Sequence, residues 1–513
     1  MPRQPRRRGA GSATHVVSEE VDKHVTEFEG RLFIDGEFRE AQSGKRFEVI
    51  NPADELVVGT AADAASGDVA LAVGAARRAA DGTSWGTDHA FRQRCLRQLQ
   101  EGLRKASDTA RELQVAEAGI CVGNLATHVD AMTDDMSWFI DLIGRFGWET
   151  DFPPYELLGM RSLRRVRYEP YGVVGAITPW NAPLMTDIWK TTHALATGNT
   201  VVLKTAPDTP LTGAFIARVV AELTEIPAGV VNVVSSEDKA AAGEALTGDP
   251  RVDMYHFTGS PGVGQRIAER AAVGIRKACL ELGGKSANII YEDADLDLAT
   301  RLGVGMCMSN SGQGCALATR MVVHAPVYDE VLERLTAIVG ALPWGDPNDP
   351  VNVVGPIIRL EQLERMEGLV NRAADAGARV LVGGRRGDRG GKGFWYLPTV
   401  VTDVDENAEI AQTEVFGPVL TVVKFQGGED EAVRVANNSR YGLSAYVQTG
   451  DPERAWRIAS RLKAGTVNIG PSFYLSPDTP FGGYGISGVG REHGEDGFRE
   501  YLQAKTIASP AGA

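Results

Sequence analysis

No window of the sequence approaches the apolar length that spans a bilayer, so neither a membrane-spanning helix nor a membrane partner is expected. Cysteine is scarce. Cys95, Cys121, Cys279, Cys307 and Cys315 are odd in number and never form a CxxC pair. That leaves a disulfide scaffold or a metal cluster without support and points to a reducing, cytoplasmic compartment. Positive charge is also short, with 53 Lys and Arg against 67 Asp and Glu and a net charge of -14. Such a surface repels a phosphate backbone, which argues against generic nucleic-acid binding. The one basic run, MPRQPRRRGAGSATHVV, has no apolar core and so is not a secretory signal; residues 1–20 read as a disordered basic arm. There is no repeat of fixed period.

What is present is the composition of a globular enzyme: 43% hydrophobic and 23% charged residues, with 59 glycines spread along the chain. At 513 residues it exceeds one ordinary core, and two or three domains are expected. From about residue 171, short β-rich runs (YGVVGAI, TVVL, VNVV, VDMYHF) alternate with helical stretches. This alternation predicts an α/β fold, with right-handed βαβ crossovers in a parallel, Rossmann-like sheet covered by helices on both faces. After ELGGKSANIIYEDADLD the pattern restarts with RMVVH, a helix over 326–341, PTVVTDV, VLTVVKF and SAYVQTG, which predicts a second α/β domain. The loop GGRRGDRGGKG (383–393) has no helix start behind it and reads as a surface loop.

Four stretches carry candidate chemistry. In SNSGQGCALATR, Cys315 lies between Gly314 and Ala316, where little bulk covers the sulfur. If ALATR starts a helix, its dipole favours the thiolate. In RKACLELGGKS, Glu281 closes an apolar strand, at the end where parallel sheets open their ligand crevice. Partial desolvation there raises a carboxylate toward values useful for deprotonating water. In ITPWNAPLM, a strand runs into Thr178, Trp180 and Asn181, with Pro183 suited to the first turn of a helix. Asn181 is either an oxyanion donor or a helix cap. In FTGSPGVG, Gly259, Ser260 and Gly264 join a strand to a helix, which suits a pyrophosphate although the spacing is not GxGxxG. Each stretch alone also has a purely structural reading: packing cysteine, solvated strand-end acid, helix cap, tight turn.

Taken together and in order, PWN, LKTAPDTP, FTGSPGVG, ELGGKS, GQGC, EVFGPV and PFGGYGISGVGRE resemble the aldehyde dehydrogenase superfamily, from about residue 34 to 506. The resemblance implies a dinucleotide-binding domain (21–152 and 172–283), a catalytic domain (284–484) and a small β oligomerisation arm (153–171 and 485–513). It implies Cys315 as the nucleophile, Asn181 as oxyanion donor and Glu281 as the base that hydrolyses a thioester. For NAD or NADP it implies Lys204 at the adenine ribose, Gly259, Ser260 and Gly264 at the pyrophosphate, and Glu414 at the nicotinamide ribose. Trp180, Phe416, Ile177 and Thr178 would flank the cofactor. It implies Ala182, Met185, Trp189, Leu475 and Phe481 as tunnel walls, and a homodimer or homotetramer.

The chain departs from the family pattern at Pro207, where relatives that prefer NAD often carry a ribose-binding Glu; NAD stays favoured and NADP open. Gly485 stands where many relatives have Lys. Uncharged tunnel walls imply an aliphatic, terpenoid or aromatic aldehyde. The rival readings are a CoA-acylating relative, against which Glu281 argues, and a catalytically silent relative that keeps the fold.

Overall fold

The computed structural model describes residues 29–473 and 475–511, so the expected basic arm lies outside the described residues. Strands and helices alternate along the middle of the chain much as the hydrophobic pattern predicts. Five strands pair in parallel in the spatial order Lys277–Leu282, Met254–Gly259, Val173–Ile177, Thr200–Lys204 and Val231–Val234. Antiparallel strands extend this sheet at both edges, Gly488–Val489 on one side and Leu32–Ile34 with Glu37–Arg39 on the other. The two central strands Val173–Ile177 and Thr200–Lys204 are buried at every residue, as a sheet covered on both faces requires. Helices Pro183–Ala196 and Pro210–Leu223 each begin with the proline at the first turn. The long helices His89–Lys105 and Met132–Arg145 contribute Leu96, Leu99, Phe139 and Ile143 to the core on one side of the sheet.

The order of these strands fixes where a ligand crevice opens. The chain starts at Val173–Ile177, moves outward through Thr200–Lys204 to Val231–Val234, then returns to lay Met254–Gly259 on the opposite side of the first strand. This reversal is a switch point, and loops leaving the carboxyl ends of the two strands diverge there. One loop carries Trp180 and Asn181, the other Ser260, and Glu281 lies next to them on the neighbouring strand.

A seven-stranded sheet forms the second α/β unit, in the order Arg379–Val382, Thr399–Thr402, Val419–Phe425, Arg320–His324, Ala287–Ile290, Ser444–Gln448 and Thr466–Ile469. Its pairings are parallel except the first. A separate antiparallel sheet joins Glu149–Leu157, Met160–Pro170 and Leu502–Pro510. The fold is α/β, with a Rossmann-like sheet, a second α/β unit and this small β arm.

Two expectations need correction. Residues 316–319 form no helix; after Cys315 the chain makes a turn and enters the strand Arg320–His324, so the expected helix dipole at the sulfur is missing. Residues 485–501 do not join the arm: Gly488–Val489 pairs with Lys277–Leu282, and Glu492 lines the central cavity.

Candidate active site

Between the two sheets lies a cavity of about 430 Å³. Cys315, Glu281, Asn181, Trp180, Gly259, Ser260, Glu414 and Phe416 line it, as do Ala182, Met185, Trp189, Leu475 and Phe481. Four predicted residues stand behind this wall. Ile177 ends its strand and Thr178 follows it, where the Thr178 N–H donates to the Lys204 carbonyl at 3.1 Å. Lys204 is buried at the end of the next strand. Gly264 lets its helix close on the sheet, because a Cβ there would meet Leu282 at 2.6 Å.

Cys315 is presented by a strained loop. Asn310, Ser311 and Gly312 have φ of 49°, 56° and 70°, the left-handed region that costs non-glycine residues energy. Gly312 packs so closely on the Gly417 carbonyl that a Cβ would come within 2.0 Å of it. Asn181 fastens the same loop: its Nδ2 donates to the Gln313 carbonyl at 2.9 Å, while Asn310 Nδ2 donates to the Asn181 carbonyl at 2.7 Å. Asn181 is not the cap of the following helix, a position taken by Ala182. Since an amide nitrogen carries two N–H groups, one remains for a ligand oxygen.

Cys315 is half-buried and lines the cavity. Burial, followed by the carboxylates of Glu414, Glu281 and Glu492, pushes the thiol up to about 12. The Cys315 side chain is therefore a neutral thiol.

Glu281 is 2% exposed, and neither of its carboxyl oxygens has a hydrogen-bond partner. Burial and then the charge of Glu492 raise it well above the ordinary carboxylate range. Gly482 makes room for it, since a Cβ there would stand 2.8 Å from Oε1. An orphaned buried acid facing a cavity is a costly feature, which is how catalytic carboxylates are commonly held. Glu414 is pushed up to about 7 by burial and accepts from the Gly284 N–H at 3.0 Å.

A sequence profile of the aldehyde dehydrogenase family matches residues 38–507. The chain belongs to the aldehyde dehydrogenase family. It is 38% identical over 491 residues to a mitochondrial aldehyde dehydrogenase of Leishmania tarentolae, covering 95% of this chain and 96% of the relative. The solved NAD+ complex of aldehyde dehydrogenase from Bacillus cereus superposes with a TM-score of 0.91 at 34% identity, covering 95% and 98% of the two chains. A betaine aldehyde dehydrogenase from Staphylococcus aureus, also in complex with NAD+, gives 0.92 at 32%, covering 97% of each. The protein is an oxidoreductase of aldehydes, and its family and these neighbours support the use of NAD(P).

The aldehyde dehydrogenase cavity fits a dinucleotide on its own geometry. Gly259 and Ser260, which lead into the helix Pro261–Gly274, line the cavity at the switch point. Buried Thr258 Oγ1 has no partner, and Gly283 leaves space that Glu414 fills, since a Cβ would come within 2.2 Å of its Oε2.

Several cavity residues escaped the sequence reading. His128 lies on the π-helical turn Ala126–Ala131 and is lowered to about 4 by burial. Glu492 Oε1 is 2.7 Å from both Lys190 Nζ and His256 Nε2. Burial raises Glu492, but Lys190 and then His256 outweigh it and hold the carboxyl well below its usual range. A lysine inside the apolar helix PLMTDIWKTTHALA was the available signal, because a fully buried ammonium needs an anion. Arg359 also faces the cavity, and nothing in its local sequence marks it.

Proposed function

We propose that the protein oxidises a hydrophobic aldehyde to its carboxylic acid through a thioester on Cys315. The observation that carries this reading is the convergence of Cys315, Glu281 and Asn181 with the Ser260 helix start on one cavity. The Cys315 thiol gives its proton to water in the cavity as the sulfur adds to the aldehyde carbonyl, and the new oxyanion is held by the free Asn181 amide N–H and the Cys315 backbone N–H. NAD(P), when bound, supplies the hydride acceptor that lets this adduct collapse to a thioester. Glu281, once ionised, takes a proton from water and directs the hydroxide at the thioester carbonyl, which frees the acid and restores the sulfur.

For the cofactor we assign Ser260 and Gly259 to the pyrophosphate, Lys204 to the adenine ribose, and Glu414 with Phe416 to the nicotinamide ribose. NAD is the preferred form. Pro207 stands where a ribose-binding Glu would reject a 2'-phosphate, which leaves NADP open. Ala182, Met185, Trp189, Leu475 and Phe481 carry no charge, which supports an aliphatic, terpenoid or aromatic substrate over a cationic aldehyde or a carboxylated semialdehyde. Five free thiols support a reducing, cytoplasmic setting. Exposed Phe152, Tyr155, Leu157, Leu158, Met160 and Leu163 on the β arm support a dimer or tetramer.

The test is kcat/KM for octanal, benzaldehyde, betaine aldehyde and succinic semialdehyde, each with NAD and NADP. The reading expects the uncharged aldehydes to lead and Cys315→Ala to be inactive. A charged aldehyde at the head of the series would overturn the substrate class, and activity in Cys315→Ala would overturn the mechanism.

A further inference from the structure

Asp208 stands one residue past Pro207 in the turn that follows the strand Thr200–Lys204. Its carboxylate does not face solvent alone: Arg359 Nη1 donates to Oδ2 at 2.7 Å. The two side chains are 16% and 25% exposed. Arg359 belongs to the second α/β unit, just ahead of the helix Leu360–Asp375. The ion pair therefore spans the crevice from one unit to the other. The guanidinium carbon also stands 5.4 Å from the Trp180 ring, which in turn meets Phe416 edge-on at 5.3 Å.

Three observations point beyond a structural clasp. Arg359 lines the same cavity as Gly259, Ser260 and Trp180. Its buried Nε has no hydrogen-bond partner; the Glu361 carboxylate stands 3.7 Å from it. The cavity wall holds one other arginine, Arg365, and that side chain is spent on backbone, with Nη1 donating to the Val415 carbonyl at 2.9 Å and Nη2 to the Glu414 carbonyl at 2.7 Å. A diphosphate entering at Ser260 thus meets one cation, among the described cavity residues, whose donors can be redirected. A planar guanidinium is well matched to phosphate oxygens, and its stacking on Trp180 keeps it oriented while it changes partners.

We propose that Arg359 is a cofactor-binding residue that exchanges Asp208 for the diphosphate of the bound dinucleotide. Asp208 is its internal competitor. It keeps the guanidinium paired while the crevice is empty and takes it back when the product cofactor leaves. The inference rests on the NAD(P) reading of this cleft, and it adds a specific consequence: removing the competitor strengthens binding, whereas removing the arginine weakens it.

The experiment measures dissociation constants of NAD, ADP and adenosine by quenching of tryptophan fluorescence, together with the release rate of NADH by stopped flow. Wild type is compared with Arg359→Gln, Arg359→Lys, Asp208→Asn and the double variant Asp208→Asn/Arg359→Gln. Arg359→Gln is expected to weaken NAD and ADP about tenfold, the scale of one charge-assisted phosphate contact, with adenosine unchanged. Asp208→Asn is expected to tighten NAD several-fold and to slow NADH release by a similar factor. The double variant should match Arg359→Gln, because Asp208 acts only through that side chain. Arg359→Lys keeps the charge across the crevice and should fall between wild type and Arg359→Gln, which guards against a folding defect in the glutamine variant. The proposal is overturned if ADP binding is indifferent to Arg359→Gln, or if Asp208→Asn loosens NAD as a lost clasp would. A folded wild type that binds neither NAD nor NADP defeats the cofactor reading itself; normal NAD binding with no difference among the variants defeats only the role of Arg359.

Discussion

Replacing Glu281 by glutamine keeps the size of the side chain and removes its capacity to take a proton. Because neither carboxyl oxygen has a hydrogen-bond partner, the substitution breaks no bond of the resting protein. Its effect should therefore fall on one step. A positioned general base contributes roughly 10²–10⁴ in rate, or about 2.7–5.5 kcal/mol of barrier. Steady-state turnover of Glu281→Gln should fall by that factor, while the first hydride transfer proceeds. Stopped-flow absorbance of reduced nicotinamide should show a burst followed by a near-flat phase, and intact mass should show the acyl group on the protein.

Stability supplies an independent check with a fixed sign. Glu281 has a folded pKa raised above the ordinary 4.5, chiefly by burial. The carboxyl is thus at no disadvantage below pH 4.5, and wild type loses stability as pH rises from there toward the folded value, by at most about 1.4 kcal/mol per unit. Glu281→Gln escapes that loss, so its denaturation midpoint should exceed that of wild type at pH 7 and converge with it near pH 4. Steady-state turnover within twofold of wild type, with no burst, would refute the assignment of Glu281 as the base.

Lys190→Met leaves the Glu492 carboxylate buried without its ammonium, which should cost about 3–5 kcal/mol at pH 7 by chemical denaturation. Since the folded pKa of Glu492 is depressed, the stability it confers is present above pH 4.5 and lost as pH falls through its folded value, so the gap between variant and wild type should close in acid. Alkylation of Cys315 by iodoacetamide should accelerate about tenfold per pH unit, with no plateau below pH 10, as expected for a thiol held near 12. Leu158→Asp, at a residue 86% exposed on the β arm, should shift the protein toward monomer in light scattering.

The sheets were legible because their signal is local. Val173–Ile177 and Thr200–Lys204 are apolar runs punctuated by Pro183 and Pro210, and those features survive in any context. The Cys315 loop was not legible. A helical continuation suits ALATR by propensity, but the chain turns instead because Gly312 must pass against Gly417 and Asn310 is tied to the Asn181 carbonyl. Both contacts come from distant sequence. The ionic pair of Lys190 with Glu492 joins residues 302 positions apart, and no spacing rule reaches that far. Pro207 and Asp208 could be read as a departure from the family pattern, yet the partner that occupies Asp208 comes from the other α/β unit. Local pattern placed the elements, and tertiary contacts set the charge states.

Those charge states bear on when the sulfur becomes reactive. Within the cavity Cys315 faces Glu414, Glu281 and Glu492, and every negative charge there opposes a thiolate. A positive charge entering the same low-dielectric space acts in the opposite sense: it favours ionisation of both the thiol and the Glu281 carboxyl. Oxidised nicotinamide carries such a charge and reduced nicotinamide does not. Alkylation of Cys315 at pH 7 should therefore quicken when NAD is added and stay at the cofactor-free rate, or slow, when NADH is added at matched occupancy. Steric shielding alone would slow both cases, and equal slowing would show that the cofactor's charge does not reach the sulfur.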